Sequence, residues 1–354
     1  MKIHNFSAGP AILPQEVLSQ AADSVLNLNG TGLSLIEISH RSKEFVAIME
    51  EACALSLELS GLGNTTYQAM FLQGGASTQF LMTAYNLLET RAGYVNTGSW
   101  SDKAIKEAKH FGEVIELASS KKSNFNYIPK EHVGAEKLDY IHITTNNTIF
   151  GTQFQDIPKV SAPLVADMSS DIFSRAFDYS KFGLFYAGAQ KNLGPAGTTL
   201  VVADMNLLGK VSRAVPSMLD YSLHMVKESM FNTPPVFAVY TTLLNLRWIK
   251  NQGGIEAVGK ANSEKASLLY DEIDRNECFE GFAAKEDRSQ MNATFNLLNP
   301  ETAERFDTLW NEAGISGLKG HRSVGGYRAS IYNAMALESV SLLIEVMKEF
   351  ERTV

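Results

Sequence analysis

From residue 67 onward the chain repeats one pattern that leaves few folds open: a short apolar run, a turn of small or polar residues, then a stretch of helical periodicity. Residues 67–72 lead into Gly74-Gly75-Ala76-Ser77 and a helix pattern through Leu88. Residues 93–95 lead into Asn96-Thr97-Gly98-Ser99-Trp100 and a pattern through His110. Residues 140–144 run into Asn146-Asn147-Thr148, residues 164–166 into Asp167-Met168-Ser169-Ser170, and residues 184–187 into Gly188-Ala189-Gln190-Lys191. Short strands alternating with helices, without hairpin signals, predict an α/β fold: a mostly parallel sheet covered by helices on both faces. Ligands of such sheets bind beyond the carboxyl ends of the strands. Chemistry is therefore expected at these five strand ends.

Each end offers something different. Gly74-Gly75-Ala76-Ser77 opens a predicted helix, whose free N–H groups and dipole suit a phosphate. It is not a nucleotide-binding glycine motif, because the chain lacks GxxxxGK[ST] and no GxGxxG follows a strand. Trp100 can lie flat on an aromatic ring or fill the core. Asp167, ending an apolar strand, either caps a helix that follows or meets a cation such as a protonated pyridine nitrogen. Lys191 follows the apolar run 182–187, where desolvation favours the neutral, nucleophilic amine; the plainer alternative is a loop lysine beside Gly194-Pro195. A phosphate cup, a flat partner, a buried carboxylate and an imine-forming lysine are jointly what pyridoxal phosphate requires.

Charge narrows the partners. The formal net charge of −8 repels nucleic acid and anionic membranes, so an anionic ligand must meet local cations. The segment 319–328 concentrates four potentially cationic side chains, Lys319, His321, Arg322 and Arg328, among glycines. Two distant cysteines, Cys53 and Cys278, in helix-like contexts, read as buried free thiols of a reducing compartment. No metal site is expected. The opening Met1-Lys2-Ile3-His4-Asn5-Phe6 lacks a signal-peptide core, and no run approaches the ~20 apolar residues of a membrane span. A cytoplasmic protein is expected.

The remaining segments divide the chain. A turn-rich start, Phe6-Ser7-Ala8-Gly9-Pro10, precedes a helix pattern from Pro14 to Leu28. Residues 36–42 alternate as a short extended piece, placing His40 and Arg41 at a junction before a helix over 43–59. Residues 198–203 read as a further strand, and Pro234-Pro235 introduces a helix to about Lys250. Asn251-Gln252-Gly253-Gly254 is the candidate hinge, giving an N-terminal segment 1–14, a large domain 15–252 and a smaller α+β domain 253–354.

The chain resembles the phosphoserine aminotransferase family of class V aminotransferases, with fold type I pyridoxal-phosphate architecture. The likeness runs from Phe6-Ser7-Ala8-Gly9-Pro10 to the C-terminus. It is carried by Ser39-His40-Arg41, Tyr186-Ala187-Gly188-Ala189-Gln190-Lys191-Asn192 with Gly194-Pro195-Ala196-Gly197, Met230-Phe231-Asn232-Thr233-Pro234-Pro235, and Gly320-His321-Arg322 with Arg328-Ala329-Ser330. The resemblance implies a large domain with a seven-stranded sheet and a smaller C-terminal α+β domain. It implies that Lys191 is the Schiff-base lysine, that Asp167 meets the pyridine nitrogen, Trp100 stacks on the ring and Thr148 lies near its phenolic oxygen. Ala76, Ser77 and Gln190 would hold the phosphate, with Asn232 and Thr233 reaching it from the partner of a homodimer. Arg328 would take the substrate α-carboxylate, and His40, Arg41, His321 and Arg322 the distal anion, some from the partner subunit. Some members carry Gly-Arg where this chain has Ala76-Ser77, so any role of that arginine is not carried over. The implied reaction moves the amino group of L-glutamate to 3-phosphohydroxypyruvate, giving 3-phosphoserine and 2-oxoglutarate on the route to serine. Activity on 4-phosphohydroxythreonine, in pyridoxine biosynthesis, stays open, as do two rivals: a different class V aminotransferase or desulfurase, and a noncatalytic phosphate-binding protein.

Overall fold

A computed structural model describes residues 2–130 and 137–354. The short strand β1 (His4–Asn5) precedes helices α1 (Gln15–Leu26) and α2 (Lys43–Leu59). Then come β2 (Tyr67–Leu72), α3 (Gly75–Leu87), β3 (Arg91–Asn96), α4 (Ser99–Ala108), β4 (Glu113–Ser119) and β5 (Ile141–Thr144). A small hairpin of β6 (Asn146–Asn147) and β7 (Thr152–Gln153) is followed by β8 (Leu164–Asp167), β9 (Phe182–Gly188), β10 (Thr199–Asp204), α5 (Tyr221–Val226) and α6 (Val236–Asn251). The rest comprises α7 (Gly254–Arg275), β11 (Phe279–Gly281), β12 (Asn292–Leu297), α8 (Ala303–Glu312), β13 (Ile315–Ser316), β14 (Tyr327–Ser330) and α9 (Leu337–Thr353).

Seven strands form the central sheet in the order β2-β10-β9-β8-β5-β3-β4. From β9 to β4 all pairings are parallel, whereas β10 runs antiparallel to both neighbours. The mostly parallel sheet expected from the sequence is thus present, with one reversed strand. An apolar run buried on both faces reads the same in either direction, which is why the reversal of β10 was not legible. Strand β4 was not anticipated at all: Glu113 and Glu116 are exposed and its apolar residues mostly half-buried, as befits an edge strand with a weak apolar signal. The extended piece expected over residues 36–42 is a series of turns. Serine oxygens take local N–H groups there: Ser39 Oγ accepts from Arg41 at 3.2 Å, and Ser42 Oγ caps α2 by accepting from Phe45 at 3.3 Å. Such bonds compete with sheet formation. Cys278 lies in a turn rather than a helix, and both free thiols are partly, not fully, buried.

Alternation along the strands sorts the core. Phe71, Val95, Ile143, Ala166, Phe185 and Val202 point to the face covered by α1, α2 and α6, while their neighbours Met70, Tyr94, Val165, Leu184 and Val201 face α3 and α4. A third cluster joins α8 and α9 to the antiparallel sheet β11-β12-β14 and takes in Phe6 from the N-terminus. Helix α7 belongs to both ends, since Ile255 and Val258 lie in the first cluster and Leu269 and Ile273 in the third. Strand β1 pairs in parallel with β13, so the chain start crosses from this C-terminal part towards the strand ends of the large sheet.

Burying polar groups between the layers has a measurable consequence. His142, on β5, stacks on Tyr94 with ring centroids 5.1 Å apart and has Nε2 2.8 Å from the Tyr186 hydroxyl, while Nδ1 has no partner among the described residues. Burial pushes its pKa down to about 3. Between that value and the unfolded one near 6.5, only the unfolded chain holds the proton, so stability falls as pH falls, by about 1.4 kcal/mol per pH unit. His142→Gln is expected to flatten the decline of Tm between pH 6.5 and 4.5; parallel acid limbs in wild type and variant would contradict this.

Candidate active site

The carboxyl ends of the parallel strands and the start of α3 converge on Lys191. At α3, Gly74 and Gly75 have φ of +98° and +68°, left-handed values that let the chain turn from β2 into the helix and leave its first N–H groups without a side-chain cap. Gly188 at the end of β9 faces this turn: a Cβ there would lie 2.8 Å from Gln190 Oε1 and 3.4 Å from the Ala76 nitrogen. The missing side chain lets the Gln190 amide and the Ala76 backbone approach one another, with exposed Ser77 beside them. The three residues expected to share a phosphate are thereby gathered in a cradle that a methyl group would obstruct.

Lys191 is half-buried. Its Nζ donates to Thr148 Oγ1 at 3.2 Å and lies 5.2 Å from the Trp100 ring centroid. The Trp100 indole N–H donates to the same hydroxyl at 3.0 Å. Burial lowers the ammonium pKa and the charge of Arg328 lowers it further, with Asp167 and Asp171 opposing. The N-terminal segment lies along the lysine stem, since a Cβ on Gly9 would sit 3.3 Å from Lys191 Cγ and Ala11 N–H donates to Gln190 O at 2.9 Å.

Asp167 is 4% exposed. Its Oδ1 accepts from Ser169 N–H at 2.9 Å and from the Ser169 hydroxyl at 2.6 Å, and that hydroxyl accepts from Gly188 N–H at 3.1 Å. No partner among the described residues reaches Oδ2. Oδ1 thus holds a turn, where the sequence suggested a helix cap: no described helix begins directly after β8, because the chain turns at Ser169 instead. Ser169, which fixes this arrangement, was not singled out from the sequence; the Asp-x-Ser spacing of an Asx turn was its only signal.

Across from these, Arg328 on β14 donates through Nη1 to Thr148 O at 3.0 Å, while its Nε is buried without a partner among the described residues. His321 is held below the usual imidazole range by burial, then by the charges of Arg328, Arg322 and Lys103. Lys103 is an addition the sequence did not suggest. It lies one helical turn after Trp100 on α4, with its ammonium 4.4 Å from the indole centroid. Among the described residues no carboxylate pairs with Lys103, His321, Arg322 or Arg328, whereas Lys319 of the same loop pairs with Asp307. The charges that act on His321, those of Lys103, Arg322 and Arg328, are thus ones without a carboxylate partner among the described residues.

Other expected residues make no bond to Lys191 among the described residues. Thr233 O accepts from Gln73 Nε2 at 2.6 Å, and Asn232 shares a cavity of about 320 Å³ with Gly74 and Thr78. His40 and Arg41 occupy the turn before α2, and no hydrogen bond or ion pair among the described residues joins either to Lys191, Arg328 or His321.

Comparison with known proteins agrees with this geometry. Residues 3–343 match the family model described as aminotransferase class-V. Proteins called phosphoserine aminotransferase from Flavobacterium psychrophilum and Flavobacterium johnsoniae are 61% and 62% identical, each alignment covering 100% of both chains. Among solved structures, the phosphoserine aminotransferase of Bacillus circulans subsp. alkalophilus has a TM-score of 0.96 at 45% identity and covers 99% of each chain. A PLP-bound phosphoserine aminotransferase from Trichomonas vaginalis gives 0.92 at 35% identity, covering 98% of this chain and 100% of its own. With its lysine, carboxylate and cation cluster on a matching fold over nearly all its length, the chain belongs to the class V aminotransferases.

Proposed function

We propose that this chain is a pyridoxal-phosphate-dependent phosphoserine aminotransferase, moving the amino group of L-glutamate to 3-phosphohydroxypyruvate in serine biosynthesis. One observation carries the reading: Thr148 alone gathers the Lys191 amine and the Trp100 indole on its hydroxyl and the Arg328 guanidinium on its carbonyl. The residues fit the cofactor. The cradle of Ala76, Ser77 and Gln190 suits its phosphate, the spare Asp167 oxygen its pyridinium, Trp100 its ring face, Thr148 its phenolic oxygen and Lys191 its aldehyde. When bound, the cofactor supplies an electron-withdrawing ring that acidifies the substrate α-carbon. Lys191 Nζ, kept towards its neutral form, takes the α-proton. Arg328 presents its fork to the α-carboxylate, which would satisfy the orphaned Nε. His321 and Arg322 receive the distal anion, a carboxylate or a phosphate.

The same reading assigns Asn232 and Thr233 to the cofactor phosphate, and His40 and Arg41 to the substrate anion, of the partner in a cytoplasmic homodimer. His40 and Arg41 make no hydrogen bond or ion pair to Lys191, Arg328 or His321 among the described residues of their own chain, which agrees with that assignment, whereas Asn232 and Thr233 stand beside Gln73 and Gly74 at the start of the cradle. No described helix is long and apolar enough to cross a membrane. The reading keeps the units 1–14, 15–252 and 253–354, with α7 as the shared strut, and extends to 4-phosphohydroxythreonine as a second substrate.

The unpaired cations favour a phosphorylated acceptor over the neutral-tailed acceptors of other class V reactions. Steady-state assays with L-glutamate are expected to give a kcat/KM at least about tenfold higher for 3-phosphohydroxypyruvate than for pyruvate or glyoxylate, given about 1.5–3 kcal/mol per charged hydrogen bond. Equal turnover of the unphosphorylated acceptors would overturn the assignment. The cradle is tested separately. Gly188→Ala, which puts a methyl against Gln190 Oε1, is expected to weaken pyridoxal phosphate binding about tenfold or more with little change in Tm of the apoprotein. Unchanged affinity in a fluorescence titration would remove the cradle from the site.

A further inference from the structure

We propose that Asn333 is a positioning residue that holds the segments bearing Lys191, Asp167 and Arg328 in one frame; the proposal rests on the function assigned above. Asn333 follows β14, five residues after Arg328, and is 8% exposed. Its backbone N–H donates to Asn192 Oδ1 at 3.0 Å, and Asn192 is the residue next to Lys191. The Asn192 amide in turn donates to Ile172 O at 2.6 Å. The Asn333 side chain donates to Phe173 O at 3.0 Å and accepts from Asn262 Nδ2, on α7, at 2.8 Å. Asn262 Nδ2 also donates to Ser174 O at 2.8 Å. One residue is thus bonded to the lysine loop, to the chain leaving the Asp167 turn and to the helix that spans both cores.

The conformation of Phe173 shows that this bonding works against a local preference. Phe173 is fully buried with φ of +52°, a left-handed value that a bulky side chain adopts only where its surroundings compel it. Its N–H is held by the Tyr179 hydroxyl at 3.2 Å and its carbonyl by Asn333. From the other side, the buried Lys265 ammonium donates to the carbonyls of Ile331, Tyr332 and Met335, at 3.2, 2.8 and 3.0 Å, and fixes the loop in which Asn333 sits. Packing alone would not require the N–H and both ends of the side-chain amide of Asn333 each to bond a different segment. The arrangement sets where the Lys191 amine and the Arg328 fork stand relative to Asp167, and so where a substrate α-carbon must lie.

The test compares wild type with Asn333→Asp and Asn333→Ala, and with Val340→Ala, a cavity in the α9 core that touches none of these bonds. Since misplacement by about 1 Å can cost about 100-fold in rate, both Asn333 variants are expected to lose at least about tenfold in kcat/KM for L-glutamate. They are also expected to show faster amide exchange in residues 167–175 and around Asn262, the segments that the Asn333 side chain bonds; its bond to Asn192 is through the backbone and survives both substitutions. Val340→Ala should lower Tm comparably with kcat/KM within about threefold and exchange of those segments unchanged. The proposal is overturned if the Asn333 variants stay within threefold, or if Val340→Ala matches both their rate loss and their exchange. Should neither Asn333 variant fold, Tyr179→Phe, which frees the Phe173 N–H, is judged by the same criteria. A wild type that does not transaminate L-glutamate overturns the assigned function instead, and the exchange comparison then decides the role of Asn333 alone.

Discussion

Lys191→Ala is expected to abolish transamination, with kcat lowered by about four orders of magnitude or more, because the variant loses its only proton-transferring amine. The absorption band of the lysine imine should be lost with it, leaving at most that of the unattached aldehyde, which separates an enzyme from a noncatalytic phosphate-binding protein. Stability should not suffer. Burial and Arg328 both disfavour the ammonium in the folded state, so truncating it removes an unfavourable term, and Tm is expected to hold or rise. Lys191→Arg should not restore turnover, since a guanidinium stays protonated and cannot accept the α-proton. Residual activity within tenfold of wild type, or an unaltered visible band, would end the case for Lys191.

Arg328→Ala is the second large effect. Truncation leaves a desolvated substrate carboxylate without its counter-ion, a loss of about 3–5 kcal/mol, so kcat/KM should fall by two or more orders of magnitude for L-glutamate and for the phosphorylated acceptor alike. Both substrates carry the α-carboxylate, which is why the loss should be shared. Arg328→Lys keeps the charge but not the fork and cannot bond Thr148 O and a carboxylate with the same planar group. It is expected to recover part of the activity, about tenfold below wild type. An effect of Arg328→Ala below tenfold would remove the residue from the site.

The strand ends were legible because their signals are local. Gly74-Gly75 must turn into a helix, Asp167 must end an apolar run, and Lys191 must follow one, whatever the rest of the chain does. Residues acting through distant partners left no such mark. Lys103 looks like any exposed helix lysine until the loop bearing His321 folds over α4, and Asn333 looks like a turn residue until it meets Asn192, 141 positions away. His40 and Arg41 show the converse, since they belong to a recognisable motif yet have no bond to Lys191 in their own chain.

By itself the sequence determined the alternation of strands and helices, the glycine turn that opens α3, and which residues stand at the carboxyl ends of the strands, all of which follow from periodicity and turn chemistry within a few neighbouring residues. Tertiary structure alone decided that β10 runs backwards, that Asp167 Oδ1 accepts from Ser169 while no described residue reaches Oδ2, and that Lys103, Arg322 and Arg328 come close enough for their charges to act on His321. These depend on which segments meet across tens to hundreds of residues, and pair formation over such distances is set by how the layers pack.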